Sequence, residues 1–389
     1  MTNEAFLWGA ATSPHQVEGG NVASDWWFLE NMPNSPFSER SGDAVDSYNR
    51  YAEDMQLLAD AGLTAYRFGV EWARIEPVPG EFQQAELDHY RRMIDTAITL
   101  GLAPVVTLHH FTSPAWFVAQ GGWLHPDGVD LFARYVERVT TILDGVDWVC
   151  TINEPNMVAS LSGLLGSGEP AEVALTSGQL PAPDDEISAR LAAAHRRAVD
   201  IVRTRTFAKV GWTVAGQQLQ PTPGNEQLFE TLRWQWEDRF LEVARDDDFI
   251  GVQAYTSQLV DQNGIVAHPP HPDNTLSGWA YRPDALEMAI RHASHVTGGT
   301  PILVTENGIS TADDEVRIRY IESALAGLNA AVSDGVDVRG YLHWSALDNY
   351  EWGHWGPTFG LISVDRTTFE RHPKPSLGWL GAHAGAPAQ

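Results

Sequence analysis

The chain has 389 residues, with 25 Lys plus Arg against 51 Asp plus Glu and a formal charge of −26. A surface that acidic repels phosphate backbones and anionic lipid, which argues against nucleic acid and membrane surfaces as partners. At 43% hydrophobic and 20% charged residues the composition is that of a folded protein, and its one cysteine, Cys150, can form no internal disulfide. No run approaches the ~20 apolar residues of a bilayer span. The opening Met1-Thr-Asn-Glu-Ala-Phe-Leu-Trp-Gly9 lacks the basic-then-apolar pattern of an export signal, so the expected compartment is the cytoplasm.

Short apolar runs alternate with helical patterns along the chain. Strands are expected near 6–11, 64–69, 103–109, 147–152, 208–215, 249–254, 301–305 and 337–344. Several, such as Pro301-Ile-Leu-Val-Thr305, are apolar without alternation, as where both faces of a parallel strand are buried. Over 47–61, Tyr51, Met55, Leu58 and Ala59 fall on one helical face and Gly62 supplies a stop; over 312–331, Val316, Tyr320, Ala324, Leu325 and Leu328 do the same. Eight strands alternating with helices predict a single (β/α)8 TIM barrel occupying residues 1–389 as one domain. A doubly wound sheet is the rival, but no Gly-x-Gly-x-x-Gly joins the first strand to a helix. The longest irregular segments are 12–46, 155–186, 256–281 and 345–376, after strands one, four, six and eight. In a barrel, loops at those ends build the active site.

Two carboxylates stand out by position. Glu154 ends Trp148-Val-Cys-Thr-Ile-Asn-Glu154 at the carboxyl end of strand four, and Glu306 ends Ile302-Leu-Val-Thr-Glu306 at the carboxyl end of strand seven. Each emerges from a dry strand into the barrel mouth, where partial desolvation is unfavourable unless the group has partners or a task. Either alone reads equally well as a surface Glu beyond a strand; the two together suggest a catalytic pair. Other features read structurally. His268 and His271 sit in an extended His-Pro-Pro-His-Pro loop where no carboxylate neighbour completes a ligand set, so no metal is expected there. His109 and His110, adjacent on a strand, point to opposite faces. Asp246-Asp247-Asp248 reads as a solvated loop and Cys150 as a small buried hydrophobe.

Thr151-Ile-Asn-Glu154-Pro155 and Thr305-Glu306-Asn307-Gly308 resemble the two signature motifs of family 1 glycoside hydrolases, the β-glucosidase family. Six further stretches follow in the family's order: Phe6-Leu-Trp-Gly-Ala-Ala-Thr-Ser-Pro-His-Gln16-Val-Glu-Gly19, Tyr66-Arg67-Phe-Gly-Val-Glu-Trp-Ala-Arg74-Ile75, Thr107-Leu-His-His110-Phe111, Gly251-Val-Gln-Ala-Tyr255-Thr256, Trp344-Ser-Ala-Leu-Asp-Asn-Tyr-Glu351-Trp352 and Phe359-Gly-Leu-Ile-Ser-Val-Asp365. The resemblance spans roughly residues 5–380. It implies retaining hydrolysis of β-glycosides through a covalent intermediate, with Glu306 as nucleophile and Glu154 as acid/base about 5–5.5 Å apart. It also implies that Arg67 and Tyr255 hydrogen-bond the nucleophile. Gln16, His110, Asn153 and Glu351 match the family's sugar contacts, Asn153 at the 2-hydroxyl, and Trp344 and Trp352 match its aromatic walls. No cofactor and no metal are implied, and the expected partner is a small-molecule or oligosaccharide β-glycoside. A transglycosidase would use the same intermediate, and a non-catalytic sugar-binding barrel would be expected to lack one of the two Glu.

Several positions depart from the family's pattern. Gln253-Ala254 stands where Asn-Tyr is usual, Phe111 for Trp, Thr112-Ser113 for Asp-Leu, and Gly69 for Ser. The segment Gly353-His-Trp-Gly-Pro-Thr-Phe359 is a residue short, and the chain is shorter than typical members, which suggests trimmed loops. Glu351 disfavours the branch acting on 6-phospho sugars, since a carboxylate there would repel phosphate.

Overall fold

The computed structural model describes residues 5–167 and 180–384. Eight parallel strands close into a barrel: β1 (Leu7–Ala11), β2 (Ala65–Gly69), β3 (Ala103–Thr107), β4 (Trp148–Asn153), β5 (Lys209–Ala215), β6 (Ile250–Gln253), β7 (Ile302–Asn307) and β8 (Val338–Trp344). Each strand pairs with its neighbours in sequence, and β8 closes on β1 with Leu7 opposite Gly340 and Ala11 opposite Trp344. The architecture is the expected (β/α)8 barrel, with strand ends within two residues of the sequence reading.

The helix expected over 47–61 is Ser47–Asp60, which buries Met55 and Leu58 and gives way before Gly62. The one expected over 312–331 is Asp314–Ser333; the Asp313 carboxylate caps it by accepting from the backbone N–H groups of Glu315 and Val316. Such helices pack their apolar faces on the outside of the strands, forming the main core. A second apolar cluster, including Ala65, Val105, Trp148, Cys150, Phe249, Leu303 and Leu342, fills the barrel's interior at the amino ends of the strands. Cys150 is thus the buried small side chain expected.

The period of two along a strand dictates what lies above that plug. Two residues beyond Ala65 is Arg67, beyond Val105 is Thr107, and beyond Leu342 is Trp344. Two strands break the count. The pairing of β4 with β5 slips between Cys150 and Asn153, and that of β7 with β6 slips between Val304 and Glu306. These irregularities re-aim the ends of the strands that carry the two acids, the usual consequence of a bulge at a barrel rim.

The segments expected to be irregular contain ordered pieces. Helices Pro14–Val17 and Asp25–Asn31 follow β1, and helix Pro155–Ser167 follows β4; residues 168–179 of that expected loop lie outside the described residues. Leu259–Asp261 and Gly264–Ile265 pair after β6, and Ile362–Val364 pairs with Arg371–Pro373 after β8. Of the Asp246–Asp248 run, Asp246 is exposed as expected, whereas Asp247 and Asp248 are half-buried and paired. His195, buried and bonded to Thr151, lies against Asp247, while Asp248 accepts from the backbone of Val210 and from Arg203. Paired carboxylates there tie the start of β5 and β6 to the preceding helix.

Candidate active site

The carboxyl ends of the strands surround a cavity lined by both Glu154 and Glu306. Their surroundings differ. Glu306 Oε1 accepts from Arg67 Nη1 at 2.6 Å and Gln253 Nε2 at 2.8 Å, and Oε2 accepts from the Tyr255 hydroxyl at 2.5 Å. Among the described residues no side chain hydrogen-bonds the Glu154 carboxylate. Burial pushes Glu154 well above the usual carboxylate range, the nearby Glu306 charge adds to the rise, and Arg67 opposes it. Burial raises Glu306 as well, against the charge of Arg67 and the Tyr255 hydrogen bond. One pocket therefore holds one carboxyl group clamped by donors and one held by none.

Arg67 is fully buried and joins four neighbours: Nε donates to Thr107 at 3.0 Å, Nη1 to Glu306 and, at 3.4 Å, to the Thr305 carbonyl, and Nη2 to Asn153 Oδ1 at 2.5 Å. Asn153 turns its Nδ2 toward His110 Nε2 at 3.3 Å. Burial, helped by the Arg67 charge, depresses His110 well below the usual imidazole range, so it is neutral and can accept. The His110 ring stacks toward Trp344 at 5.8 Å and Trp352 at 6.3 Å between centroids. Trp344 Nε1 donates to Glu351 Oε1 at 3.2 Å, and burial pushes the Glu351 carboxyl up to about 8. An uncharged Glu351 weakens the electrostatic case against phosphorylated sugars near neutral pH. Gln16 is held by Ser13 on its oxygen and by Asn349 and the Tyr350 carbonyl on its nitrogen.

All ten residues singled out in the sequence thus converge: eight line the cavity, and Arg67 and Asn153 form its underside by way of Glu306 and His110. Glu154, Phe111 and Trp352 have left-handed backbones, with φ of 47°, 64° and 46°. Non-glycine residues in that region are strained and gather at functional sites. Two departures from the family pattern have local causes. Thr112 donates to Glu71 at 2.6 Å. At Gly69 a Cβ would lie 2.6 Å from the Pro14 ring, leaving no room for the usual Ser.

Sequence reasoning missed Gln253, flagged only as a departure, and Thr213, which donates to Asn153 Oδ1 at 3.0 Å. It also missed the outer wall, where Met157, Leu161, Trp236 and Ile265 line the cavity beside Gln217 and His268. Those positions sit in segments without motif or period, and only the cavity reveals them. Among the described residues no three His, Cys, Asp or Glu side chains are grouped to hold a metal ion, and no helix is long and apolar enough to cross a membrane.

The family model of glycosyl hydrolase family 1 matches residues 2–242 and 237–385. The chain belongs to glycosyl hydrolase family 1. This family 1 enzyme is 29% identical to β-glucosidase A of Thermotoga maritima, over 97% of this chain and 96% of the relative. It is 30% identical to the thermostable β-glucosidase B of Thermobispora bispora, over 97% of this chain and 89% of that one. Among solved structures, the β-glycosidase BGL167 superposes with a TM-score of 0.90 at 44% identity, covering 99% of this chain and 97% of the other. The family 1 chain is a glycoside hydrolase, and its family is one of retaining β-glycosidases.

Proposed function

We propose that the whole chain acts as one catalytic barrel that hydrolyses terminal β-D-glucosyl residues, with Glu306 as nucleophile and Glu154 as acid/base. The observation that carries this reading is the contrast between the two carboxyl groups in one cavity: three donors on Glu306 and, among the described residues, none on Glu154. Donors stabilise the ionised form that must attack the anomeric carbon. Burial and the neighbouring negative charge keep a proton on Glu154, where it can pass to the leaving oxygen. Once Glu306 is esterified its charge is gone, Glu154 titrates lower, and it can take a proton from the incoming water. Trp344 and Trp352 supply apolar faces for the sugar's C–H groups; His110, Asn153, Gln16 and Glu351 supply partners for its hydroxyls. The names of the curated relatives favour glucose as the sugar. The substrate is a small or oligomeric β-glucoside, and the lone cysteine is compatible with work in the cytoplasm.

Glu306→Gln is expected to abolish turnover of an aryl β-glucoside; near-normal activity in that variant sinks the assignment. Glu154→Ala should keep the first step for substrates with good leaving groups and regain turnover with azide, and failure of azide rescue removes the acid/base role.

A further inference from the structure

Gln253 ends β6 with its side chain inside the barrel and 1% exposed. Its Nε2 lies 2.8 Å from Glu306 Oε1, 2.8 Å from Asn153 Oδ1 and 3.2 Å from Thr213 Oγ1. The amide can stand only one way round. Arg67 and Thr213 both donate to Asn153 Oδ1, so that atom is the oxygen. A reversed Gln253 would press its own oxygen against two acceptors.

The other end of the amide tells why it is there. Gln253 Oε1 is buried and finds no partner among the described residues. A buried carbonyl without a partner is destabilising, and Met would fill nearly the same space without that penalty. Packing therefore does not account for Gln at this position; the N–H groups do. They give Glu306 Oε1 a second, uncharged donor beside Arg67, from a side chain one methylene longer than the Asn usual in the family.

We propose that Gln253 is a positioning residue, whose amide ties the Glu306 carboxylate to Asn153 so that the attacking group and the sugar-contacting amide share one orientation. The inference rests on Glu306 being the nucleophile. Its loss removes a hydrogen bond to a charged group without removing Arg67 or Tyr255.

The test uses Gln253→Met and Gln253→Glu in the full chain, assayed with an aryl β-glucoside across pH and by thermal melting. For Gln253→Met the melting temperature should be unchanged or higher, while kcat/KM falls roughly 10- to 100-fold, mainly in kcat. The acid limb of the kcat/KM profile should move to higher pH, because Glu306 loses a donor to its ionised form. Gln253→Glu should move that limb further, since a second carboxyl group beside Glu306 disfavours its charge. A Met variant with activity within about 2-fold of wild type and an unmoved limb overturns the inference, as does activity lost only in proportion to lost fold. If Gln253→Met fails to fold, Gln253→Glu gives the same pH readout; if neither folds, Gln253 is a fold determinant and the inference fails. Glu306→Gln separates the two levels. An active Glu306→Gln removes the nucleophile assignment, whereas an inactive one beside a normal Gln253→Met removes only the role of Gln253.

Discussion

Arg67 and Glu306 form an ion pair inside the barrel, Nη1 to Oε1 at 2.6 Å, with the guanidinium side chain 0% exposed and the carboxylate 5%. The same guanidinium holds Asn153 through its other terminal nitrogen. A lysine carries all its donors on one ammonium and cannot reproduce the rigid fork that reaches Thr107, Glu306 and Asn153 from three separate nitrogens. Arg67→Lys should therefore lower kcat/KM by about 100-fold or more and move its acid limb to higher pH. Activity within a few-fold of wild type would show that the fork geometry is not needed.

The repulsion between the two acids can be measured. Replacing Glu306 by Gln removes a negative charge that raises Glu154, while burial and Arg67 remain. In Glu306→Gln the Glu154 carboxyl should titrate at lower pH than in the parent, read by carbon NMR of labelled glutamate side chains. An unchanged titration would mean that the two groups do not feel each other.

Glu237 lies behind the cavity's outer wall, where its Oε1 accepts from the backbone N–H groups of Gln217 and Gln218. Burial pushes its carboxyl up to about 7, against the attraction of His292. Between the usual carboxylate range and that value the folded chain holds a proton that the unfolded chain releases. This share of stability is present at low pH and lost as pH rises through about 7. Glu237→Gln keeps the acceptor oxygen and removes the titration. Its stability should decline less than wild type's between pH 5 and pH 8, by on the order of 1–3 kcal/mol in chemical unfolding. Parallel profiles would refute the protonation of Glu237.

At Gly308, just beyond Glu306 and Asn307, a Cβ would lie 2.0 Å from the Trp344 carbonyl oxygen. The close approach of β7 and β8 at the rim thus requires glycine. Gly308→Ala should push Trp344 away from Glu351, destabilise the fold by about 1–3 kcal/mol and raise KM for a glucoside. A variant with wild-type melting and KM would show that the rim yields freely.

Much of the site was legible because the residues that make it lie at strand ends inside contiguous motifs. Glu154 follows Asn153 directly, and Glu306 ends an apolar run, so the strand reading alone delivered both to one rim. Thr213 and Gln253 were not legible as partners of Asn153. They come from strands β5 and β6, and their hydrogen bonds span 60 and 100 residues of sequence. The outer wall of Met157, Trp236 and Ile265 was hidden for the same reason: apolar residues in the segments between barrel strands look alike until a cavity separates those that face it from those that pack.

Alternation of apolar runs with helical faces, a property of neighbouring residues, was enough to determine the barrel, its strand order and the strand ends that bear chemistry. Tertiary structure alone decided which way those ends point. Strict alternation from Leu303 and from Cys150 would not carry Glu306 and Asn153 to the same side as Arg67. The slips in pairing on β7 and β4 do, and they arise from the fit of one strand to its neighbour. Tertiary structure likewise decided the inequality of the two acids, because burial and donors gathered from strands β2, β6 and the segment beyond β6 act on each carboxyl group through space.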